Sequence, residues 1–206
     1  MSRRLGGGAV SEGPDRVFVV GSGAHAGACA GQLAADGFDV KTFAPDTPAE
    51  GLATEAEAGV PYGLVIALDE EFSALEDFGS GWRGAVSKVL HDAYAQTRAL
   101  ARLIMRARRG RIVFVVSATG LSGEGDNSAL AVASGAMAGM ARSVARELAP
   151  RTVTVNTVAY GSSDAAPLGR RPSPEEAASM VGYLLSDAGA PICGQVLSVD
   201  SGLVMR

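Results

Sequence analysis

The sequence predicts an α/β fold: a doubly wound parallel sheet in a single domain. Three observations carry this expectation. Short β-branched runs alternate with longer helical patterns along the chain, and the first run ends in a glycine-rich turn that opens a helix. Glycine also supplies 27 of the 206 residues while aromatics make up 5%. Strands separated by helices are joined by crossovers, so they lie parallel and need covering on both faces. Glycine at this abundance, with no collagen period and no polar low complexity, points to tight βα turns and closely packed helices.

Residues 16–21 (RVFVVG) form an apolar run closed by glycine and predict the first strand. The small-residue stretch 24–36 predicts the helix that follows, Gly37 ends it, and residues 38–43 predict the second strand. A weak helical piece over 48–58 leads to a strand over 62–68. Residues 82–108 predict a long amphipathic helix, with Trp82, Val86, Val89, Ala93, Leu100 and Ile104 on one face and Lys88, Asp92, Arg98, Arg102 and Arg106 on the other. A strand over 111–117 and a glycine-rich loop through Asn127 precede a helix over 128–148. The last two strands are expected over 152–158 and 195–199. Between them, Ser173 as N-cap, Pro174 at the first helical position and Glu176 form a capping box. With no internal repeat and no second core, residues 16–206 read as one domain and residues 1–15 as a flexible tail.

Composition excludes several classes of function. The 18 Lys and Arg against 22 Asp and Glu leave a net charge of −4, with no basic footprint for nucleic acid. Cys29 and Cys193 match neither a zinc spacing nor a disulfide ladder, and His25 and His91 are too few for a histidine-rich metal site, so no metal is expected. No apolar run is long enough to span a membrane, and the chain reads as cytoplasmic. The arginines between Arg102 and Arg111 follow a helix C-terminus, where they complement its dipole as a solvated cluster.

Gly21-Ser22-Gly23-Ala24-His25-Ala26 reads G-x-G-x-x-A between a strand and a helix, the context in which a dinucleotide's pyrophosphate approaches backbone N–H groups. Gly21, Gly23 and Ala26 are therefore the candidate cofactor-binding positions. The acidic residue expected after the second strand is displaced, since Ala44 and Pro45 precede Asp46.

Four further segments, taken in order, carry a resemblance: GRIVFVVSATG from Gly110, ARSVARELAP from Ala141, VTVNTVAYG from Val153 and ICGQVLSVDSG from Ile192. Together they resemble the short-chain dehydrogenase/reductase family, most of all its 3-oxoacyl-ACP-reductase-like branch, over nearly all of residues 16–203. The resemblance implies a Rossmann-like sheet and hydride transfer with NAD(P), helped by a Ser, a Tyr, a Lys and a helix Asn. Ser117 fits the Ser position, but Leu130 stands at the Tyr, Ser134 at the Lys and Val89 at the Asn. The family's T-G-x-x-x-G-x-G turn falls on Val19, Val20, Ala24 and Ala26. Its adenine-side third strand has no room between Phe43 and Tyr62, its N-N-A-G segment is replaced by Ala67-Leu68-Asp69-Glu70, and its Pro-Gly after the penultimate strand is Tyr160-Gly161. The expectation is thus a degenerate member with no catalytic residues and no expected cofactor, NAD(P) entering only if the catalytic groups are displaced.

In the resembling family the two long helices and the last strand form subunit interfaces. Residues 128–141 (SALAVASGAMAGMA) carry no charge and are small or apolar all round, a composition for burial on every side. The helices over 82–108 and 128–148 are therefore expected to meet an active paralogue or a second copy of the chain. A third expectation is a non-redox enzyme or ligand sensor using an emptied pocket around Ser117, His25 and Tyr160, with Tyr160 as its filler or as a displaced phenol.

Overall fold

The computed structural model describes residues 13–68, 80–123 and 127–205. Its strands are β1 (Arg16–Val20), β2 (Asp39–Phe43), β3 (Gly63–Ala67), β4 (Gly110–Ser117), β5 (Val153–Tyr160) and β6 (Val196–Val199). Its helices are α1 (Gly23–Ala35), α2 (Ala49–Glu57), α3 (Ser80–Ala107), α4 (Thr119–Ser122), α5 (Ser128–Leu148) and α6 (Pro174–Leu185). The six strands pair in parallel in the order β2-β1-β3-β4-β5-β6.

Alternation along each strand sorts the core into two layers, because successive side chains point to opposite faces. Val17, Val19, Val113 and Val115 pack with Cys29 and Leu33 of α1 and with Val181 and Leu184 of α6. Phe18, Ile112, Phe114 and Val116 face the other way, against Leu52 of α2, Leu100 and Ile104 of α3, and Met137 and Ala141 of α5. Of the four inner strands, β3, β4 and β5 are buried at every position and β1 at all but its first. At the edge, β2 is partly exposed throughout, and an ion pair between its Lys41 and Glu55 of α2 places charge on that edge. No strand lies beyond β2 among the described residues, in keeping with the missing room between Phe43 and Tyr62.

Local signals set the helix ends. Ser173 Oγ accepts from the Glu176 backbone N–H and the Glu176 carboxylate accepts from that of Ser173 at 2.8 Å, so the capping box is complete. Asn127 Oδ1 accepts from the Leu130 N–H at 3.0 Å and starts α5.

Two differences from the sequence reading have simple causes. The loop after β4 contains α4, a single turn closed by Gly123 at φ +70°. Asp15, assigned to the tail, is held in place: its carbonyl accepts from the Asp39 N–H at 3.0 Å and its carboxylate takes two bonds from Arg109 at 2.8 and 2.7 Å. Residues 1–12 of that tail lie outside the described residues. Among the described residues, no helix is long and apolar enough to cross a membrane.

Candidate functional site

The sheet order makes β1 and β3 neighbours although the chain leaves β1 toward β2 and returns on the other side. The crevice outside the carboxyl ends of these strands is where doubly wound folds bind ligands. Gly21 lies at its base. Its N–H donates to the Phe43 carbonyl at 3.0 Å, and a Cβ there would stand 2.9 Å from the Ala67 oxygen and 3.0 Å from the Ala26 Cβ. Gly23, at φ +73°, begins α1, and Ala26 is buried. Close packing of the turn on β3 thus accounts for Gly21 and Ala26 without a ligand. The first turn of α1 carries no acidic residue, so the positive end of its dipole remains suited to an anion.

The positions that the resemblance assigns to proton transfer are buried and uncharged. Ser117 is fully buried, and its Oγ accepts from Thr119 Oγ1 at 3.0 Å and from the Thr119 N–H at 3.3 Å. Leu130 joins the hydrophobic core of the α3/α5 layer with Ala133 and Met137. Ser134 is 1% exposed, and its hydroxyl has no hydrogen-bond partner. Val89 packs half-buried on the same core. None of these four side chains holds a charge or titrates near neutral pH, and a phenol of pKa ~10 needs a neighbouring cation to exchange a proton there.

On the α1/α6 face the crevice is filled from within. Tyr160, the last residue of β5, is 1% exposed and donates its hydroxyl to the Leu68 carbonyl at 3.0 Å. Its ring stacks on His25 in the first turn of α1, with centroids 3.7 Å apart and planes inclined by 17°. Burial and the Arg171 guanidinium hold the His25 imidazole below its usual pKa, while Glu175 acts the other way. Around Ser117, His25 and Tyr160, where the sequence suggests an emptied pocket with Tyr160 as filler or displaced phenol, the Tyr160 ring is buried against His25 and Ser117 is bonded to its own α4 turn.

A cavity of about 380 Å³ lies instead on the α3 face of the strand ends, lined among others by Val20, Ser22, Asp46, Trp82, Lys88 and Gln96. Gln96 donates to the carbonyls of Pro45 and Thr47, both at 2.9 Å, and so fixes the turn after β2. Lys88 is paired with Asp92 one turn on. The Asp69 and Glu70 carboxylates lie outside the described residues. Among those described, no three His, Cys, Asp or Glu side chains gather to hold a metal ion.

The outer surface of the two long helices is apolar in places. α5 buries Leu130, Ala133, Met137, Ala141 and Ala145 against the sheet, but Val132 is 45% exposed and Ala136 lies open beside it. Tyr94 of α3 is 50% exposed. The arginines after α3 are not one solvated cluster. Arg109 pairs with Asp15 and sits 4.2 Å above the Tyr62 ring, and Arg111 is buried, 5.6 Å from the same ring.

A family model described as short chain dehydrogenase matches residues 66–176. A 3-oxoacyl-[acyl-carrier-protein] reductase of Synechocystis sp. is 33% identical over 139 residues, covering 60% of this chain and 56% of that protein. The 3-oxoacyl-[acyl-carrier-protein] reductase FabG of Escherichia coli is 33% identical over 141 residues, covering 60% of this chain and 58% of its own. The match thus spans little more than half the length of these curated relatives. Among solved structures, acetoin dehydrogenase YohF from Salmonella typhimurium superposes with a TM-score of 0.82 at 25% identity, over 92% of this chain and 97% of that one. An oxidoreductase of Burkholderia thailandensis superposes with a TM-score of 0.84 at 24% identity, over 93% of each chain.

Proposed function

Since the chain belongs to the short-chain dehydrogenase family, we propose that it is a non-catalytic member whose role is association, with an active relative or with a second copy of itself, through α3 and α5. The observation that carries this reading is the chemistry at the proton-transfer positions. Leu130 and Val89 carry no exchangeable proton and the Ser134 hydroxyl supplies no positive charge, and general acid–base help is typically worth about 10²- to 10⁴-fold in rate. The cofactor that the family implies is a pyridine dinucleotide. The N-terminus of α1 suits its pyrophosphate, but the strand ends toward β5 are filled by Tyr160, so the residues present do not fit the whole molecule and no hydride step is derived.

Association is supported by what the two helices leave open. Val132 and Tyr94 are large apolar side chains about half exposed on neighbouring elements, and residues 128–141 of α5 are mostly small, which allows close backbone approach. Size-exclusion chromatography with light scattering tests the reading, on the chain alone and mixed with an active reductase of the same family from its host. A stable monomer that joins none of them overturns it.

The names of the matched relatives favour a second reading, an NAD(P)-dependent ketoreductase whose catalytic groups have moved elsewhere in the chain. Substrate-dependent oxidation of NADH or NADPH by the isolated chain would establish it over the first.

A further inference from the structure

The chain carries a chemical likeness of a bound ring inside its own crevice. Tyr160 leaves the end of β5 with its carbonyl accepting from the Ala118 N–H, just past β4, at 2.7 Å. Its side chain then runs toward β1, passing the ends of two strands. The hydroxyl reaches the Leu68 carbonyl, just past β3, at 3.0 Å, and the ring lies flat on His25, just past β1. One side chain thereby links the end of β5 to the residue after β3 and to the first turn of α1. It presents a flat aromatic face to one neighbour and a single polar tip to a backbone carbonyl, as a heterocyclic ligand held in such a crevice would do. Gly161 helps to set its position: a Cβ there would come within 2.7 Å of the Asp200 Cα, so the backbone following Tyr160 is pressed against the segment after β6.

A dinucleotide anchored by its pyrophosphate at the α1 N-terminus must send one arm toward β2 and the other over β3, β4 and β5. We infer that the Tyr160 ring, braced by His25, stands in the path of that second arm, so that the chain excludes a pyridine dinucleotide by means of its own side chain and gains the capacity to bind one when the ring is removed. This rests on the non-catalytic reading above for its consequence and on the stacked pair for its geometry. It is separable from that reading, because association is measured as mass and exclusion as nucleotide binding.

The test is titration of the isolated chain with NADH and NADPH, followed by calorimetry and by nicotinamide fluorescence, for the parent and for Tyr160→Ala and Tyr160→Leu. The parent is expected to show no saturable binding up to about millimolar nucleotide, and a folded variant to bind at least about tenfold more tightly. Saturable micromolar binding by the parent overturns the inference, and so does a folded variant that binds no better than the parent. Should both variants fail to fold, the parent itself decides the matter by NMR. A seated Tyr160 ring shifts the His25 imidazole protons upfield by its ring current, and their positions stay fixed when NADH is added. Imidazole signals without that shift, or signals that move with saturation on adding NADH, overturn it.

Discussion

Gly120 and Ser134 meet so closely that no methyl group fits between them. A Cβ on Gly120 would lie 2.8 Å from the Ser134 Cβ and 2.6 Å from the Gly135 nitrogen. This contact seats α4 on α5 and closes the segment after β4 over Ser117. Gly120→Ala is therefore expected to destabilise the fold by about 1–3 kcal/mol, because a backbone atom cannot rotate away as a side chain can. The midpoint of urea unfolding measures this, and an unchanged midpoint would show that α4 yields freely.

The Ser134 hydroxyl is buried without a partner, so two substitutions at this position should differ in sign. Ser134→Ala removes an unsatisfied donor and is expected to leave stability unchanged or raise it by up to about 1 kcal/mol. Ser134→Lys restores the residue type that the family resemblance places here, yet it sets an ammonium in a site that is 1% exposed. A loss of about 3–5 kcal/mol is expected. The double variant Leu130→Tyr, Ser134→Lys is expected to show no ketone-dependent NADPH oxidation, since the Tyr160 ring still stands in the path inferred for the nicotinamide arm. Measurable turnover by that variant would refute the prediction.

The stacked imidazole makes stability depend on pH in a definite direction. His25 has its folded pKa held below the usual 6.5, chiefly by burial and then by Arg171, with Glu175 opposing, and its ring is stacked on that of Tyr160. The unfolded chain therefore binds the proton more readily than the folded one. The contribution of His25 is complete above about pH 6.5 and is lost as the pH falls from there through the lowered folded value. Parent and His25→Ala, unfolded in urea at a series of pH values from 7.5 to 5, should diverge most at neutral pH and converge on acidification. Parallel curves would show that the imidazole is solvated.

How much of this was legible beforehand follows from the range of each interaction. The capping box at Ser173 and Glu176 and the bounds of α5 are written in a few adjacent residues, and both match the sequence expectation. Strand positions follow from apolar runs and agree to within a residue or two. What escaped detection depends on strand order. Tyr160 meets Leu68 across 92 positions, and it meets His25 only because β1, β3, β4 and β5 lie side by side. An aromatic in place of the family's Pro marks Tyr160 as a filler or a displaced phenol, but which groups its hydroxyl and ring meet is set by the sheet rather than by its neighbours in sequence. The arginines beside Arg111 along the chain suggest a solvated cluster. In the sheet Arg111 is an inner-strand residue, and its guanidinium turns to the Tyr62 ring and the Gly110 carbonyl.

The outward side of α5 offers the most direct test of why this fold is kept. Val132 projects from a helix with no charged residue from Ser128 to Ala141, and its side chain is 45% exposed in the isolated chain. An arginine there keeps most of the aliphatic contact surface of the chain itself but carries a charge into any close helix–helix contact, where desolvating it without a partner is costly. Val132→Arg is accordingly expected to shift the light-scattering mass from oligomer to monomer while changing the unfolding free energy of the monomer by no more than about 0.5 kcal/mol. Tyr94→Arg, on the exposed side of α3, is expected to act in the same direction, since α3 packs beside α5. A control at Arg142, already charged and exposed about three turns further along α5, should leave the mass unchanged when replaced by lysine. If Val132→Arg preserves the oligomer, association does not run through this face; if it unfolds the chain, Val132 belongs to the core rather than to an interface.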